Sequence, residues 1–158
     1  MTDEVWRSAP GFQGIYSVSS GGRVRRDLPS QGARAGHVLN ATVDGRGYRM
    51  VELFKDGRRS KRKVHCLVAE VFIGPRPDDH DVRHLDGDRL NNAASNLAYG
   101  TRSDNLHDAV RHGTHPDAAK THCKRGHEFT PGNTRIETSG SRRCRTCARA
   151  RYRKVATS

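Results

Sequence analysis

Val82-Arg83-His84-Leu85-Asp86-Gly87-Asp88 opens the stretch that decides the fold, and it runs on through Asn91-Asn92, Ser95-Asn96-Leu97 and Thr101 to Asn105. A glycine between two aspartates is a turn signal. Short apolar runs flank it at residues 82–85 and 97–99, which predicts two short strands around a loop. Thr101 or Ser103 then stands where a helix N-cap belongs, Leu106 and Val110 follow four residues apart, and Gly113 ends the run. The expected product is a ββα unit.

The polar residues of this unit carry candidate chemistry. Asparagine in a loop rich in Asp and Gly is ordinarily turn chemistry, and Asn91-Asn92 is read as that alone. His84, Asn96 and Asn105 are a different set, one imidazole and two carboxamides threaded from a strand into a helix. An imidazole is a general base near neutral pH, and a carboxamide oxygen either orients that base or ligates a hard divalent cation.

The order and spacing of these residues resemble the HNH endonucleases of the phage and intron-encoded homing type, which read valine-x-His-x-Asp-Gly, then Asn-Asn, then Asn-Leu. Val64-His65, Leu67-Val68-Ala69-Glu70 and Phe72 are similar to the segment that precedes the motif in that branch. The resemblance implies a metal-dependent DNA endonuclease with Mg²⁺ or Mn²⁺ as its catalytic ion. It implies that His84 takes a proton from the attacking water, that Asn96 holds the imidazole through its carboxamide oxygen, and that Asn105 ligates the ion. Cleavage of one phosphodiester of double-stranded DNA to a 5′ phosphate and a 3′ hydroxyl follows, and a monomer with one such site would nick.

The sequence departs from the family pattern at Arg83, where the best understood members carry a metal-binding aspartate. A guanidinium cannot ligate a cation. Three arrangements stay open: Asp86 or His65 takes over as ligand, Asn105 holds the ion together with water and phosphate oxygens, or the site is weakened. Arg83 is itself a candidate phosphate contact.

Charge points the same way. Of 158 residues, 29 are Lys or Arg against 17 Asp or Glu, a formal net charge of +12 that favours a polyanionic partner. A hydrophobic share of 33% and an aromatic share of 6% are lean for a packed globule, so metal ions or nucleic acid are expected to supply part of the order. No apolar run approaches the roughly 18 residues of a spanning helix, and Met1-Thr2-Asp3-Glu4-Val5-Trp6 is an acidic start rather than a leader. The expectation is a protein without a membrane partner, in the cytoplasm of a bacterial or phage-infected cell.

The N-terminal residues 1–37 read as a small β module and a loop. Trp6, Pro10-Gly11-Phe12-Gln13-Gly14-Ile15-Tyr16-Ser17-Val18-Ser19 and Gly22-Arg23-Val24-Arg25 alternate apolar and polar residues between glycines, whereas residues 27–37 show no periodicity. Trp6, Gly11-Phe12, Tyr16-Ser17-Val18-Ser19 and Gly22-Arg23-Val24-Arg25 together also resemble a small N-terminal module found in many homing-type HNH endonucleases, and Trp6, Phe12 and Tyr16 read as the residues that pack the hairpin. Residues 38–113 read as the nuclease core with its preceding hairpins: a turn at Asp44-Gly45-Arg46-Gly47, a strand at 48–54, a turn at Asp56-Gly57, a strand at 60–64 and a helix at 65–72. Five of the six residues Arg58-Arg59-Ser60-Lys61-Arg62-Lys63 are basic and are candidates for phosphate contact.

Residues 119–158 form a third, basic module. Cys123-Lys124-Arg125-Gly126-His127 and Cys144-Arg145-Thr146-Cys147 are two short chelating pairs sixteen residues apart, a spacing that suits tetrahedral Zn²⁺ of Cys₃His type. His122 is the rival for the fourth position. The pattern Cys, Gly-His, Asn, Cys-x-x-Cys resembles the zinc-ribbon tail of phage HNH proteins, which implies His127 and a structural ion. Cys66 reads as a buried free thiol. From residue 120 onward eleven basic residues stand against two acidic ones, a surplus of nine. Arg142, Arg143, Arg145, Arg149 and Arg153 are the candidate DNA contacts there.

The fold expected is α+β: an N-terminal β module, a ββα-metal core and a zinc ribbon. The rival function is a DNA-binding or packaging accessory protein that keeps the shape and has lost catalysis, which Arg83 keeps open. An RNA-directed role is disfavoured by the few aromatics available for base stacking.

Overall fold

The computed structural model describes residues 4–30, 32, 34–117, 119–138 and 141–155. The chain divides into two compact units, residues 1–112 and 113–158.

In the first unit, β1 (Trp6–Ser8), β2 (Tyr16–Ser19), β3 (Val24–Arg26) and β4 (His37–Val38) form an antiparallel sheet in that order. Every residue of β2 is buried, Tyr16 and Val18 almost completely. The second sheet holds β5 (Thr42–Val43), β6 (Arg49–Lys55) and β7 (Arg58–Lys63). Asp56 and Gly57 join β6 to β7 with φ of 50° and 72°, the two left-handed residues that a tight hairpin of matching twist requires. Val51 and Leu53 point inward from β6 while β7 faces outward with its basic run.

α1 (Val64–Phe72) buries Val64, Leu67 and Val68. These side chains join Phe12, Tyr16, Val18 and Val24 of the first sheet, Val51 and Leu53 of β6, and Leu97 in one hydrophobic core. That core crosses residue 37, where the sequence places the end of the N-terminal module. Tyr16 fastens the two halves as well, its hydroxyl accepting from the backbone N–H of Phe54 at 3.1 Å.

β8 (Asp81–His84) pairs antiparallel with β9 (Leu97–Gly100), with His84 opposite Leu97, and α2 (Arg102–Arg111) packs on both. This is the expected ββα unit. Thr101 caps α2 through a capping box with Asp104. The helix differs from expectation in the face it buries: Leu106 and Val110 are exposed, and Asp108 is buried instead. Arg83 reaches under the helix from β8, and carboxylates rather than methyl groups are what a guanidinium attracts there.

The second unit contains β10 (Thr134–Ile136) paired antiparallel with β11 (Arg142–Cys144), followed by α3 (Arg145–Val155). Among the described residues no helix is long and apolar enough to cross a membrane.

Candidate active site and metal centre

His84 ends β8 with its side chain buried, and its Nε2 lies 3.1 Å from Asn92 Oδ1. The amide of Asn92 donates to the Leu90 carbonyl, which turns the oxygen toward the ring. An amide oxygen only accepts, so Nε2 is the donor of this pair, and the neutral tautomer compatible with it carries its lone pair on Nδ1. Asn92, at 3% exposure, is thus far from the solvent-facing turn residue that the sequence suggests.

Asn96 does something other than hold the ring. Its Oδ1 accepts from the Asp86 backbone N–H at 3.1 Å, and its Nδ2 donates to Asp86 Oδ1 and to the Asn91 carbonyl. The reason is local: Asn96 sits in a helical turn (Ala94–Asn96) immediately before β9, and the Asp86 loop folds onto that turn, leaving Asn92 to reach His84. Asp86 is the hub of the loop, its two oxygens also taking Asn91 Nδ2 and the Asp88 N–H. Hydrogen bonds from Asn91, then Asn96, then Asp88 hold its carboxyl below the usual carboxylate range.

His65, in the first turn of α1, packs edge-on to His84 with ring centroids 5.1 Å apart and lies 4.9 Å from the Tyr48 ring. Burial, then the proximity of His84, lowers its pKa to about 4, so it is neutral at pH 7. Lys63 and Arg89 stand over the Tyr48 ring at 4.5 and 5.1 Å.

Arg83 leaves β8 on the other side, as alternation along a strand requires. Its guanidinium is 3.4 Å from Asp108 and 3.9 Å from Asp104, both on α2, and Arg111 pairs with Asp108 as well. The side chain is 19% exposed and so closely laid across Gly100 that a Cβ there would collide with it. A phosphate contact would have to displace two carboxylates. Among the described residues no three His, Cys, Asp or Glu groups gather around Asp86, His65 or Asn105. Asn105 stands on α2 with its side chain partly exposed and offers one neutral oxygen.

On β7 the basic run is largely paired: Arg59 and Lys61 approach Glu52 at 3.5 and 3.4 Å, and Arg62 binds Glu70 at 2.9 Å. Arg58 is exposed.

In the second unit the ligand atoms of Cys123, His127, Cys144 and Cys147 all lie within 4.8 Å of one another. Cys123 Sγ is 3.7 Å from Cys147 Sγ and 3.5 Å from His127 Nδ1, and Cys147 Sγ is 3.3 Å from the same nitrogen. The edges of a tetrahedron with Zn–S near 2.3 Å and Zn–N near 2.0 Å are about 3.5–3.8 Å, close to the three spacings among Cys123, His127 and Cys147, so the cluster has the donor set and size that could hold zinc. His122 is excluded, its Nδ1 lying against Thr121 Oγ1. Asn133 braces the site: it donates to Cys144 Sγ and to the Glu128 carbonyl and accepts from the N–H and hydroxyl of Thr146 at the start of α3. Arg145 and Arg149 are exposed on α3, Arg142 is spent on the Asp117 and Lys120 carbonyls and on the Phe129 ring, and Arg143 pairs with Glu137. The side chain of Arg153 lies outside the described residues.

Comparison with known proteins fits this geometry. Residues 62–107 match the HNH endonuclease family model and residues 4–54 the NUMOD4 motif. The chain is 31% identical over 109 residues to the DNA endonuclease I-HmuI of Bacillus phage SP01, covering 69% of this chain and 59% of that protein. It is 34% identical over 112 residues to the uncharacterized HNH endonuclease L247 of Acanthamoeba polyphaga mimivirus, covering 68% of this chain and 26% of the relative. The solved structure describing DNA binding and cleavage by the HNH homing endonuclease I-HmuI superposes with a TM-score of 0.59 at 30% identity, over 70% of this chain and 60% of that one. The chain therefore spans less than two thirds of these relatives. Residues 62–107, with a buried histidine closing the first strand of a ββα unit, are an HNH endonuclease domain, and a NUMOD4 motif at residues 4–54 precedes them.

Proposed function

We propose that the protein is an endonuclease that hydrolyses phosphodiester bonds of double-stranded DNA, acting as a monomer and cutting one strand per encounter. The observation that carries this reading is the His84–Asn92 pair, which leaves a lone pair on Nδ1 of a buried imidazole within a domain of the HNH family. In this reading His84 Nδ1 accepts the proton of the attacking water, Asn92 keeps the opposite nitrogen protonated, and the 3′ oxygen leaves. Asn96 and Asp86 keep the loop in shape. Asn105 would hold a hard divalent cation, Mg²⁺ or Mn²⁺, through its carboxamide oxygen, and the ion would supply positive charge at the phosphate being cleaved. Neither Asp86 nor His65 is assigned as its ligand, because the carboxylate is taken up by the loop and the imidazole is walled in by aromatic rings.

Zinc at Cys123, His127, Cys144 and Cys147 is assigned as structural, since all four positions come from protein donors. Arg58 on β7 and Arg145 and Arg149 on α3 are the exposed candidates for backbone phosphates.

The test is conversion of supercoiled plasmid to open circle in Mg²⁺ or Mn²⁺. His84→Ala is expected to abolish conversion while duplex affinity stays within a few-fold, because a general base acts on the transition state. A second reading, a DNA-binding protein with a disabled nuclease fold, is favoured by one observation: the position before His84 holds an arginine tied to two carboxylates. Absence of cleavage by the wild-type protein in both metals, with duplex binding retained, would establish that second reading.

A further inference from the structure

The loop that carries Asn92 is not supported by the nuclease domain alone. At the turn between β2 and β3, Gly22 is pressed so closely on Asn92 that an added Cβ would lie 2.8 Å from its carbonyl carbon and oxygen and 2.9 Å from its Cβ. Gly22 also has φ of +84°, so a side chain there is disfavoured twice. Two residues earlier the Ser20 carbonyl accepts the backbone N–H of Ala94 at 2.8 Å. The N-terminal motif therefore grips the Asn92 loop on both sides, at Asn92 itself and at Ala94. The segment before β6 makes a second approach, with Tyr48 against His65 and 6.1 Å from His84, and with the Arg46 carbonyl accepting from Arg89 of the same loop at 2.6 Å.

We infer that the N-terminal motif is a working part of the nuclease site: its Gly22 turn seats Asn92 against His84 and so fixes the imidazole tautomer that catalysis needs. Asn92 and Gly22 are positioning residues, Asn92 acting on His84 and Gly22 acting through Asn92. Without the seat the Asn91-Asn92 turn has no reason to bury a carboxamide, because an asparagine in such a loop gains as much from water. With it the carboxamide is dehydrated and His84 Nε2 is a nearby donor, at 3.1 Å. The groups around the ring that could compete for its proton are His65 of α1, Tyr48 with Lys63 and Arg89 over its ring, and Asp86 in the loop. His65 is neutral at pH 7, and the Asp86 carboxylate is bound by its own loop.

The inference rests on His84 being the base, and its test separates the two ideas. Asn92→Leu keeps the volume and removes the acceptor; Asn92→Asp keeps the shape and adds a charge. In the full-length protein Asn92→Leu is expected to lower kcat for plasmid nicking by roughly 10- to 100-fold with duplex affinity unchanged, a fraction of the 10²–10⁴ that a positioned base supplies. Asn92→Asp should recover most of that rate and move the acidic limb of the rate profile to higher pH, because a carboxylate on the Nε2 proton favours the imidazolium. Nitrogen chemical shifts of the His84 ring should report the Nε2–H tautomer in the wild type and a mixture in Asn92→Leu, whether or not either protein cuts. Gly22→Ala should reproduce the mixture. If His84→Ala is inactive yet both Asn92 variants keep the wild-type rate, pH profile and ring shifts, the inference is overturned and His84 remains the base. Cleavage by His84→Ala would instead overturn the base assignment.

Discussion

His65 makes the energetics of the site visible at the level of one side chain. An imidazole whose pKa is about 4 in the fold and near 6.5 when unfolded is kept neutral by burial. The unfolded chain then takes up a proton that the folded one refuses, so this contribution to stability is intact above pH 6.5 and is lost as pH falls from about 6.5 to 4. The loss is on the order of 3 kcal/mol at 1.36 kcal/mol per pKa unit. Urea melts at pH 7 and pH 4.5 should show a smaller acid loss for His65→Gln than for wild type; equal losses would show that His65 is solvated. In the candidate site, His84 and Asn105 are picked out by the sequence, because their order and spacing resemble a family pattern. Asn92 is not, since its role comes from a contact with Gly22, seventy positions away in the chain, and adjacent asparagines in an aspartate-rich loop read as turn formers. Arg83 is visible as a departure, but its partners are not: Asp104 and Asp108 look like solvent-facing helix residues until the fold puts Arg83 beneath them.

Among the elements, α2 shows where periodicity misleads. The sequence offers Thr101 or Ser103 as its cap, and the capping box forms at Thr101 with Asp104. Thr101→Ala should cost about 1 kcal/mol, measured by thermal or denaturant melting. Its apolar spacing suggests a buried stripe, yet Leu106 is 49% and Val110 48% exposed, against 0% for Leu67 on α1. The two helices should therefore respond differently to the same truncation. Leu67→Ala is expected to lose 2–5 kcal/mol, whereas Leu106→Ala should stay within about 0.5 kcal/mol; comparable losses would mean that the exposed face of α2 is covered by something in solution. The β6–β7 hairpin is legible in the sequence because Asp56-Gly57 can take the left-handed conformations that a two-residue turn needs, a local property that requires no knowledge of the rest of the chain.

For the whole molecule, the two units differ in what holds them. The first unit has a hydrophobic core, while the described residues of the second hold short strands, α3 and a four-donor cluster. Protein purified without chelator should contain one zinc per chain by elemental analysis, and Cys147→Ser should unfold the second unit alone, seen as loss of its amide dispersion with the signals of the first unit unchanged. Metal-free protein with a folded second unit would refute the assignment. If six to eight phosphates are contacted, log affinity against log salt should have a slope of about −5 to −7, and removing Arg145 and Arg149 together should reduce its magnitude by roughly 2. An unchanged slope would assign the contacts to β7 and the N-terminal sheet. The clustering of Cys123, His127, Cys144 and Cys147 is legible because chelation sets the spacing directly, whereas the common core of the first unit is hidden in the sequence by a change in composition near residue 37.

The seating of Asn92 by the Gly22 turn has a consequence for how this chain can be recombined. A chimera that joins a foreign N-terminal half to the nuclease domain at residues 55–61 would inherit His84 and lose the surface that aligns it, so it would bind and fail to cut unless the donor brought an equivalent glycine turn. A junction at residues 112–113, where the first compact unit ends, keeps the Gly22 turn and Asn92 in one piece.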